Sequence, residues 1–215
     1  MPIYILSASI ILSVIYGALL CYRPPSVLKT VVKVAATGLL TFWVYALGGP
    51  IWLVTALAFG TIGDGFMSGH PKRWLLPGLL AFFAGHLAYL ALFMTTPHTP
   101  INIATLAIAC AVFAFSAGFV AFLWTSLAEM RWPVVAYTGV IALMGATAAR
   151  LDMETSFVAI GAALFILSDV LVALETFKID ADARIRKITG PLLWALYYGG
   201  QLLIAYGFLL GLQVL

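Results

Sequence analysis

The stretch FILSDVLVAL, residues 165–174, places an aspartate inside a run that is otherwise suited to lipid. A second stretch, GTIGDGFMSGH at residues 60–70, does the same about a hundred residues earlier. The whole chain of 215 residues is 64% hydrophobic and only 9% charged. A soluble domain of this length needs many more charged residues to cover its surface. The composition therefore predicts a polytopic membrane protein, inside which two carboxylic acids need an explanation.

The apolar stretches that can cross a bilayer follow from their length. A hydrocarbon core of ~30 Å requires ~20 apolar residues in an α-helix. This measure predicts an all-α integral membrane protein, with residues 1–215 forming a single polytopic domain. Pro, Gly and charged residues mark the breaks between spans. The eight predicted transmembrane helices are residues 3–20, 26–46, 51–68, 73–95, 101–124, 133–149, 155–176 and 190–213.

Charge, cysteine content and the N-terminus restrict the class further. The net charge of +3 is too small and too dispersed to indicate nucleic-acid binding. Cys21 and Cys110 lie far apart in or beside apolar helices and show no metal-type spacing, so we interpret both as packing residues. The first twenty residues lack a basic region and a cleavage site, which favours a first span over a removable signal.

Basic residues are distributed unequally between the two sides of the predicted bundle. The loops after helices 1, 3, 5 and 7, called the odd-numbered loops below, hold nine Lys or Arg residues, counting Lys29 at a span edge. The loops after helices 2, 4 and 6, the even-numbered loops, hold only Arg150. The positive-inside rule assigns Lys- and Arg-rich loops to the cytoplasm. We therefore predict cytoplasmic odd-numbered loops, both termini outside, and a location in the cell (inner) membrane.

The same topology gives the depth of the ionisable residues inside the spans. With a helix rise of ~1.5 Å per residue, Asp64 and Asp169 lie ~20 Å and ~21 Å below the outer face, and Lys33 lies ~10 Å in from the cytoplasmic face. A charged group within the bilayer is costly and usually faces a cavity or a partner. Three ionisable groups at one level therefore predict a polar cavity in the cytoplasmic half of the membrane.

A weak internal repeat pairs the two aspartates. ALAFGTIGDGFM (56–67) can be laid over IGAALFILSDVLV (160–172) with the aspartates aligned, and FFAGHLAYL (82–90) over YYGGQLLIA (197–205) in the next span. Such similarity indicates two four-helix halves, approximately residues 1–97 and 98–215, related by an axis along the membrane normal. This 4+4 arrangement predicts Asp64 and Asp169 on opposite walls of a central polar cleft.

Five segments of the chain resemble the YhhN family of lysoplasmalogenase-like membrane proteins. The G-D, G-H-x-x-Y and F-x-x-S-D motifs within them carry the resemblance, which covers most of the chain in the family's order. Two features depart from the family pattern: Val-Ala-Ala follows Lys33 where Thr-x-Pro is common, and Glu175 lies near a position that is often basic. The segments are VVKVAATGLL (31–40), LVTALAFGTIGDGFM (53–67), GLLAFFAGHLAYLALF (78–93), GAALFILSDVLVALETF (161–177) and LYYGGQLLIAYG (196–207).

The resemblance implies hydrolysis of the vinyl ether bond of lysoplasmalogens, with Asp64 and Asp169 as the acid–base residues and no cofactor. The expected partner is a single-chain ether lysophospholipid drawn from membrane lipid. Cleavage requires a carboxylic acid that protonates the β-carbon and a carboxylate that stabilises the resulting cation and activates water. Two acids in a low-dielectric cleft suit this task, because they cannot both ionise cheaply. We expect a coupled pair and leave open which aspartate is the acid.

Further polar residues are candidates for binding the substrate. Lys33 can attract the phosphate, act as the counter-ion of an aspartate, or extend to the interface. Other polar residues in these spans are candidates for substrate contacts, interhelical hydrogen bonds or packing. Ser168 can also bond to its own helix. The full candidate set for substrate binding is Lys33, His86, Tyr89, Ser168, Tyr197, Tyr198 and Gln201.

Two other classes of membrane protein also use paired aspartates. A proton-coupled transporter would use them as a proton relay, and eight spans with a repeat fit that class. An intramembrane aspartyl protease has a G-x-G-D motif, but Thr61 replaces its first glycine and no Pro-Ala-Leu motif occurs here. Release of a product without a proton gradient distinguishes an enzyme from a transporter.

The predicted orientation can be tested by labelling a cysteine placed in the loop 178–189. In a background with Cys21 and Cys110 replaced by alanine, Ala181→Cys should react with a membrane-impermeant maleimide only from the cytoplasmic side. The reason is that basic loops are retained there. Labelling from outside in intact cells would contradict the orientation.

Overall fold

The computed structural model describes residues 2–69, 71–153 and 156–213, with side chains for all of these except residues 71 and 72. The described chain is helical throughout, and its only β-type pairing is an isolated bridge between His98 and Leu151. The helices are α1 Pro2–Ile15, continued by a π-helical turn Tyr16–Leu20, then α2 Val27–Ala46, α3 Ile51–Met67, α4 Pro71–Met94, α5 Ile103–Leu123, α6 Arg131–Ala148, α7 Phe157–Phe177 and α8 Arg186–Gly211. A 3₁₀ turn, Ala128–Met130, precedes α6.

The predicted fold class is confirmed, because each predicted span coincides with one helix. Six of the described helices are long and apolar enough to cross a membrane, whereas α3 has 17 residues and α6 falls outside that set. The predicted start of the seventh span, residue 155, lies outside the described residues. Helix α8 begins four residues before the predicted position, because Arg186 caps the end of α7 by donating to the carbonyl oxygens of Glu175 and Ile179.

Local sequence signals determine where several helices begin and end. The Ser26 side chain accepts a hydrogen bond from the Lys29 amide at the start of α2, as an N-cap residue does. Asn102 and Thr105 form a reciprocal capping box at the start of α5. Gly48, with a φ of +70°, ends α2 in the left-handed conformation that glycine adopts without strain. Gly48 lies in a predicted loop, whereas Ser26 and Asn102 lie at the first or second residue of a predicted span.

Glycines allow a close helix contact between α7 and α8. A Cβ atom on Gly161 would lie 2.7 Å from the Gly200 carbonyl oxygen, and one on Gly200 would lie 2.8 Å from that of Gly161. Small residues let membrane helices approach in this way. Helix α3 packs on α4 in the corresponding position of the first half, and α4–α6 and α2–α8 contacts join the halves. The division at about residues 97 and 98 stays a prediction.

At one end of the bundle the interior is apolar and closely packed. Residues buried at the helix ends near the even-numbered loops include Trp43, Leu53, Phe93, Val158 and Leu209, which belong to one continuous hydrophobic cluster. The rings of Phe93 and Phe208 stack there at 5.8 Å. This core closes the bundle at the even-numbered loops, so a cavity can form only in the opposite half.

Candidate active site

A cavity of about 750 Å³ lies in the half of the bundle nearest the odd-numbered loops. All eight helices contribute to its wall, if the π-helical turn is counted with α1. Its lining extends to the loop residues Pro25, Gly69 and Asp180. Asp64 and Asp169 both line this cavity. The structure therefore brings the two aspartates into one compartment.

Helical periodicity places each ionisable residue on an interior face. The buried residues of α3 include Leu57, Gly60 and Asp64, which are spaced by three or four residues and so share one face. Asp169 follows Phe165 by four residues on α7, and Lys33 precedes Thr37 by four on α2, where Phe165 and Thr37 are both buried. The same spacing that directs the apolar residues inward thus directs the charged ones inward as well.

Asp64 is fully buried and has two partners from other helices. Lys33 Nζ on α2 lies 2.9 Å from its Oδ1. The Tyr197 hydroxyl on α8 donates a hydrogen bond of 2.8 Å to its Oδ2. A cation and a hydroxyl donor compensate a buried carboxylate for the water it has lost. Three helices therefore meet at the Asp64 carboxylate.

Lys33 lies between two aromatic rings as well as beside Asp64. Its Nζ is 5.9 Å from the centre of the Tyr16 ring and 5.6 Å from that of Trp194, at cation–π distance. The Trp194 indole N–H donates to the Ser13 carbonyl oxygen at 2.9 Å, which fixes the orientation of that ring. Of the roles predicted for Lys33, the structure places it as the counter-ion of Asp64.

Asp169 has a different set of partners. The Tyr137 hydroxyl on α6 donates to its Oδ1 at 3.3 Å, and His86 Nε2 on α4 lies 3.3 Å from its Oδ2. His86 Nδ1 is 2.7 Å from the Phe82 carbonyl oxygen, which can only accept a hydrogen bond. Nδ1 must therefore carry a hydrogen. A favourable contact between Nε2 and Oδ2 then requires one proton shared by His86 and Asp169.

The contacts of the described residues do not join the two carboxyl groups to each other. Each aspartate instead belongs to its own cluster, Asp64 with Lys33 and Asp169 with His86. The expected sharing of a proton between the two aspartates stays a prediction. The contact between His86 and Asp169 is a different place where a proton could be shared.

The other predicted site residues lie at different distances from the cavity. Tyr197 and Ser168 line it, and the Ser168 hydroxyl also donates to the Phe165 carbonyl of its own helix at 2.7 Å. Tyr198 lies outside the lining and its hydroxyl is 2.6 Å from the Ser9 hydroxyl on α1. Tyr89 and Gln201 are buried behind the wall at 1% exposure.

The structure adds residues that the sequence does not single out. Tyr137 bonds to Asp169, and Tyr16 and Trp194 surround Lys33. Lys29 lines the cavity near the odd-numbered loops, where its Nζ donates to the carbonyl oxygens of Cys21 and Arg23 at 3.0 and 2.7 Å. An aromatic residue or a basic loop residue has no distinguishing signal in a chain with so many, so only the folded structure reveals these contacts.

These features define a multi-pass helical membrane protein with a polar cavity enclosed by its helices. The chain belongs to the YhhN family, whose family model matches residues 28–208. Proteins named lysoplasmalogenase from Mycobacterium bovis and Mycobacterium tuberculosis are each 28% identical to it over 167 residues. The aligned region covers 76% of this chain but only 62% of each relative, less than two thirds of their length. No solved structure gives a significant match.

Replacing Lys33 with methionine should destabilise the protein, because Asp64 would be left buried without its cation. Loss of one partner from a buried ion pair costs ~3–5 kcal/mol. We expect a lower apparent Tm in detergent for Lys33→Met and recovery of most of the loss in Lys33→Met/Asp64→Leu, which removes both charges. A Lys33→Met variant as stable as the wild type would contradict the counter-ion role.

Proposed function

We propose that this protein is a membrane hydrolase that cleaves the vinyl ether bond of lysoplasmalogens. The relatives named lysoplasmalogenase and the family membership support this activity. The observation that carries the proposal is the placement of Asp64 and Asp169 in one cavity with different partners. Acid catalysis of an enol ether needs two such groups in different protonation states.

The proposed reaction begins with protonation of the enol ether and ends with release of an aldehyde. A proton is added to the β-carbon of the C=C–O unit, which leaves an oxocarbenium cation at the α-carbon. Water adds to that carbon and loses a proton, giving a hemiacetal. The hemiacetal hydroxyl then loses its proton as the carbon–oxygen bond to the glycerol breaks, and the glycerol oxygen takes up a proton. The products are a fatty aldehyde and a glycerophospho-alcohol, and the two carboxyl groups supply and accept the protons.

In this scheme the proton comes from the His86–Asp169 unit. The Phe82 carbonyl oxygen favours the hydrogen of His86 on Nδ1, and we propose that Nε2 and the facing oxygen of Asp169, 3.3 Å apart, share one further proton. Asp169 lines the cavity, whereas His86 is buried behind it. Asp169 is therefore the group that can deliver this proton to a bound lipid. His86, which faces it, can then return a proton to Asp169.

Asp64 supplies the negative charge in the same scheme. The Lys33 ammonium and the Tyr197 hydroxyl both bind its carboxylate form. A fixed negative charge stabilises a cation that develops nearby in a low-dielectric site, and such preorganised electrostatics contribute strongly to catalysis. Asp64 can also accept a proton from the attacking water. General acid–base catalysis of this kind contributes ~10²–10⁴-fold.

The position of the cavity suits a single-chain lipid in the cytoplasmic leaflet of the cell membrane. In the orientation predicted from the basic loops, the odd-numbered loops face the cytoplasm and both termini lie outside. Asp64 is three residues from the end of α3, which is ~5 Å along the helix axis. The ether bond of a lysolipid lies just below its headgroup, so the substrate meets the acids without leaving the bilayer.

Lys29 is the best placed residue to bind the phosphate of the headgroup. Lys33 and Arg186 also line the cavity, but each is paired with a carboxylate, Asp64 and Glu175 respectively. Among the described residues that line the cavity, Lys29 is the cation without a carboxylate partner. Its two hydrogen bonds to carbonyl oxygens leave one ammonium hydrogen for a phosphate oxygen.

Asp64→Asn and Asp169→Asn should each lower kcat for aldehyde release from an alkenyl lysophospholipid by ~100-fold or more, because each removes a group needed for proton transfer or charge stabilisation. Purified protein in detergent, without a proton gradient, is assayed for aldehyde. Asp152→Asn, a change at an exposed loop residue, is the matched control and should keep wild-type activity.

Either aspartate variant with a rate within a few-fold of the wild type would contradict the role of that carboxyl. Wild-type protein that releases no aldehyde but drives proton-coupled uptake in liposomes would favour the transporter. The assay therefore separates the enzyme from its main alternative.

Lys29→Ala should raise KM for the lysophospholipid by about tenfold with little change in kcat, because it removes binding that the ground state and transition state share. Lys29→Arg keeps the charge and should keep most of the affinity. The same enol ether without a phosphate group should show no change in KM. An equal effect on both substrates would indicate that Lys29 is structural.

A further inference from the structure

A second cavity lies between α5 and α6, on the lipid-facing side of the bundle. This groove has a volume of about 610 Å³ and is lined almost entirely by apolar and small residues, among them Phe113, Val120, Trp124 and Gly139. From Phe113 to Trp124 it spans ~16 Å along α5 at the rise of an α-helix. Its length, shape and apolar lining are those of a site for an extended hydrocarbon chain.

The groove borders the aspartate-lined cavity, and the two spaces share part of their walls. Ser116 on α5 and Thr138 on α6 line both spaces. Each lies seven residues from the odd-loop end of its helix, ~10 Å along the axis, and Asp169 lies ~12 Å from the corresponding end of α7 by the same rule. The shared wall of the groove and the cavity therefore lies at about the level of Asp169 along the bundle axis.

The way α5 is attached explains why the groove stays open in its middle. At the odd-numbered loops, Leu123 belongs to a small hydrophobic cluster with Val134 and neighbours on α7. At the other end, the loop before α5 is bonded to the loop after α6, with the Thr99 amide donating to the Arg150 carbonyl oxygen at 2.8 Å. Between these attachments a Cβ atom on Gly139 would have no neighbour within 4 Å. The middle of α5 thus leaves a window toward the bilayer.

We propose that the α5–α6 groove binds the alkenyl chain of the substrate and that the lipid enters the active site sideways through this window. This inference rests on the proposed function. The chain lies along the groove, the ether bond passes between Ser116 and Thr138 to reach Asp169, and the headgroup extends toward Lys29. The hydrocarbon chain stays in an apolar environment throughout, so binding does not expose it to water.

The test fills the groove and measures selectivity for chain length. Gly139→Phe places a ring in the open space, and Gly118→Phe is the matched control, because its Cβ also has no neighbour within 4 Å but the residue does not line the groove. The readout is the ratio of kcat/KM for a long-chain alkenyl lysophospholipid to that for a four-carbon alkenyl analogue with the same headgroup.

We expect the ratio to fall about tenfold or more in Gly139→Phe, since pocket contacts with a few methylene groups carry selectivity of that size. The ratio should be unchanged in Gly118→Phe. An unchanged ratio in Gly139→Phe, or an equal fall in both variants, would overturn the proposal. If Gly139→Phe does not accumulate, Ala121→Phe on the α5 wall of the groove gives the same test.

A binding measurement separates this proposal from the proposed function. A lysophospholipid brominated in its chain should quench Trp124 saturably, with Trp124→Phe supplying the background from the other tryptophans. Gly139→Phe should weaken the saturable part, and equal quenching in both proteins would overturn the tail site. Saturable quenching in a wild-type protein that releases aldehyde from neither substrate would support the tail site and contradict the hydrolase function.

Discussion

A lysine ammonium and a carboxylate 2.9 Å apart inside the bundle connect α2 to α3, and a tyrosine hydroxyl adds α8 to the same point. An unpaired charge buried inside the bundle would raise the free energy of the folded protein, and the Lys33–Asp64 pair avoids this cost for both residues. The pair is also partly shielded by the rings of Tyr16 and Trp194. Because a buried pair is stable only with good geometry, the helices around it are held in one arrangement. The shape of the cavity follows from that arrangement.

The bundle has a closely packed apolar half near the even-numbered loops and a half near the odd-numbered loops that contains the aspartate-lined cavity. Close packing at the even-numbered loops, where Gly161 and Gly200 bring α7 and α8 together, supplies the rigid part of the fold. The opposite half can then keep a cavity without losing the structure. The two aspartates lie in this half with unlike partners, a lysine for one and a histidine for the other. One fold thereby provides two carboxyl groups with two environments, which acid–base chemistry requires.

The exposed helix α5 and the groove beside it are a third feature of the fold. Helix α5 has few buried residues, and its two ends are held by the Leu123 cluster and by the Thr99–Arg150 hydrogen bond. A soluble enzyme would need to seal such a window from water. In a bilayer the window would face hydrocarbon, so the lipid entry that we propose would not admit water from that side. The exposed position of α5 is therefore compatible with the proposed lipid-binding groove.

The sequence by itself determined the membrane class and the helix positions, because these depend on hydrophobic length and on helical spacing within a single segment. It also pointed to Asp64, Asp169 and Lys33, since a charge in an apolar run is visible without a partner. The partners themselves were decided by the tertiary structure. Tyr137 meets Asp169 across 32 residues, and Tyr197 meets Asp64 across 133. No local pattern encodes such pairs, because they depend on how whole helices cross and rotate against one another.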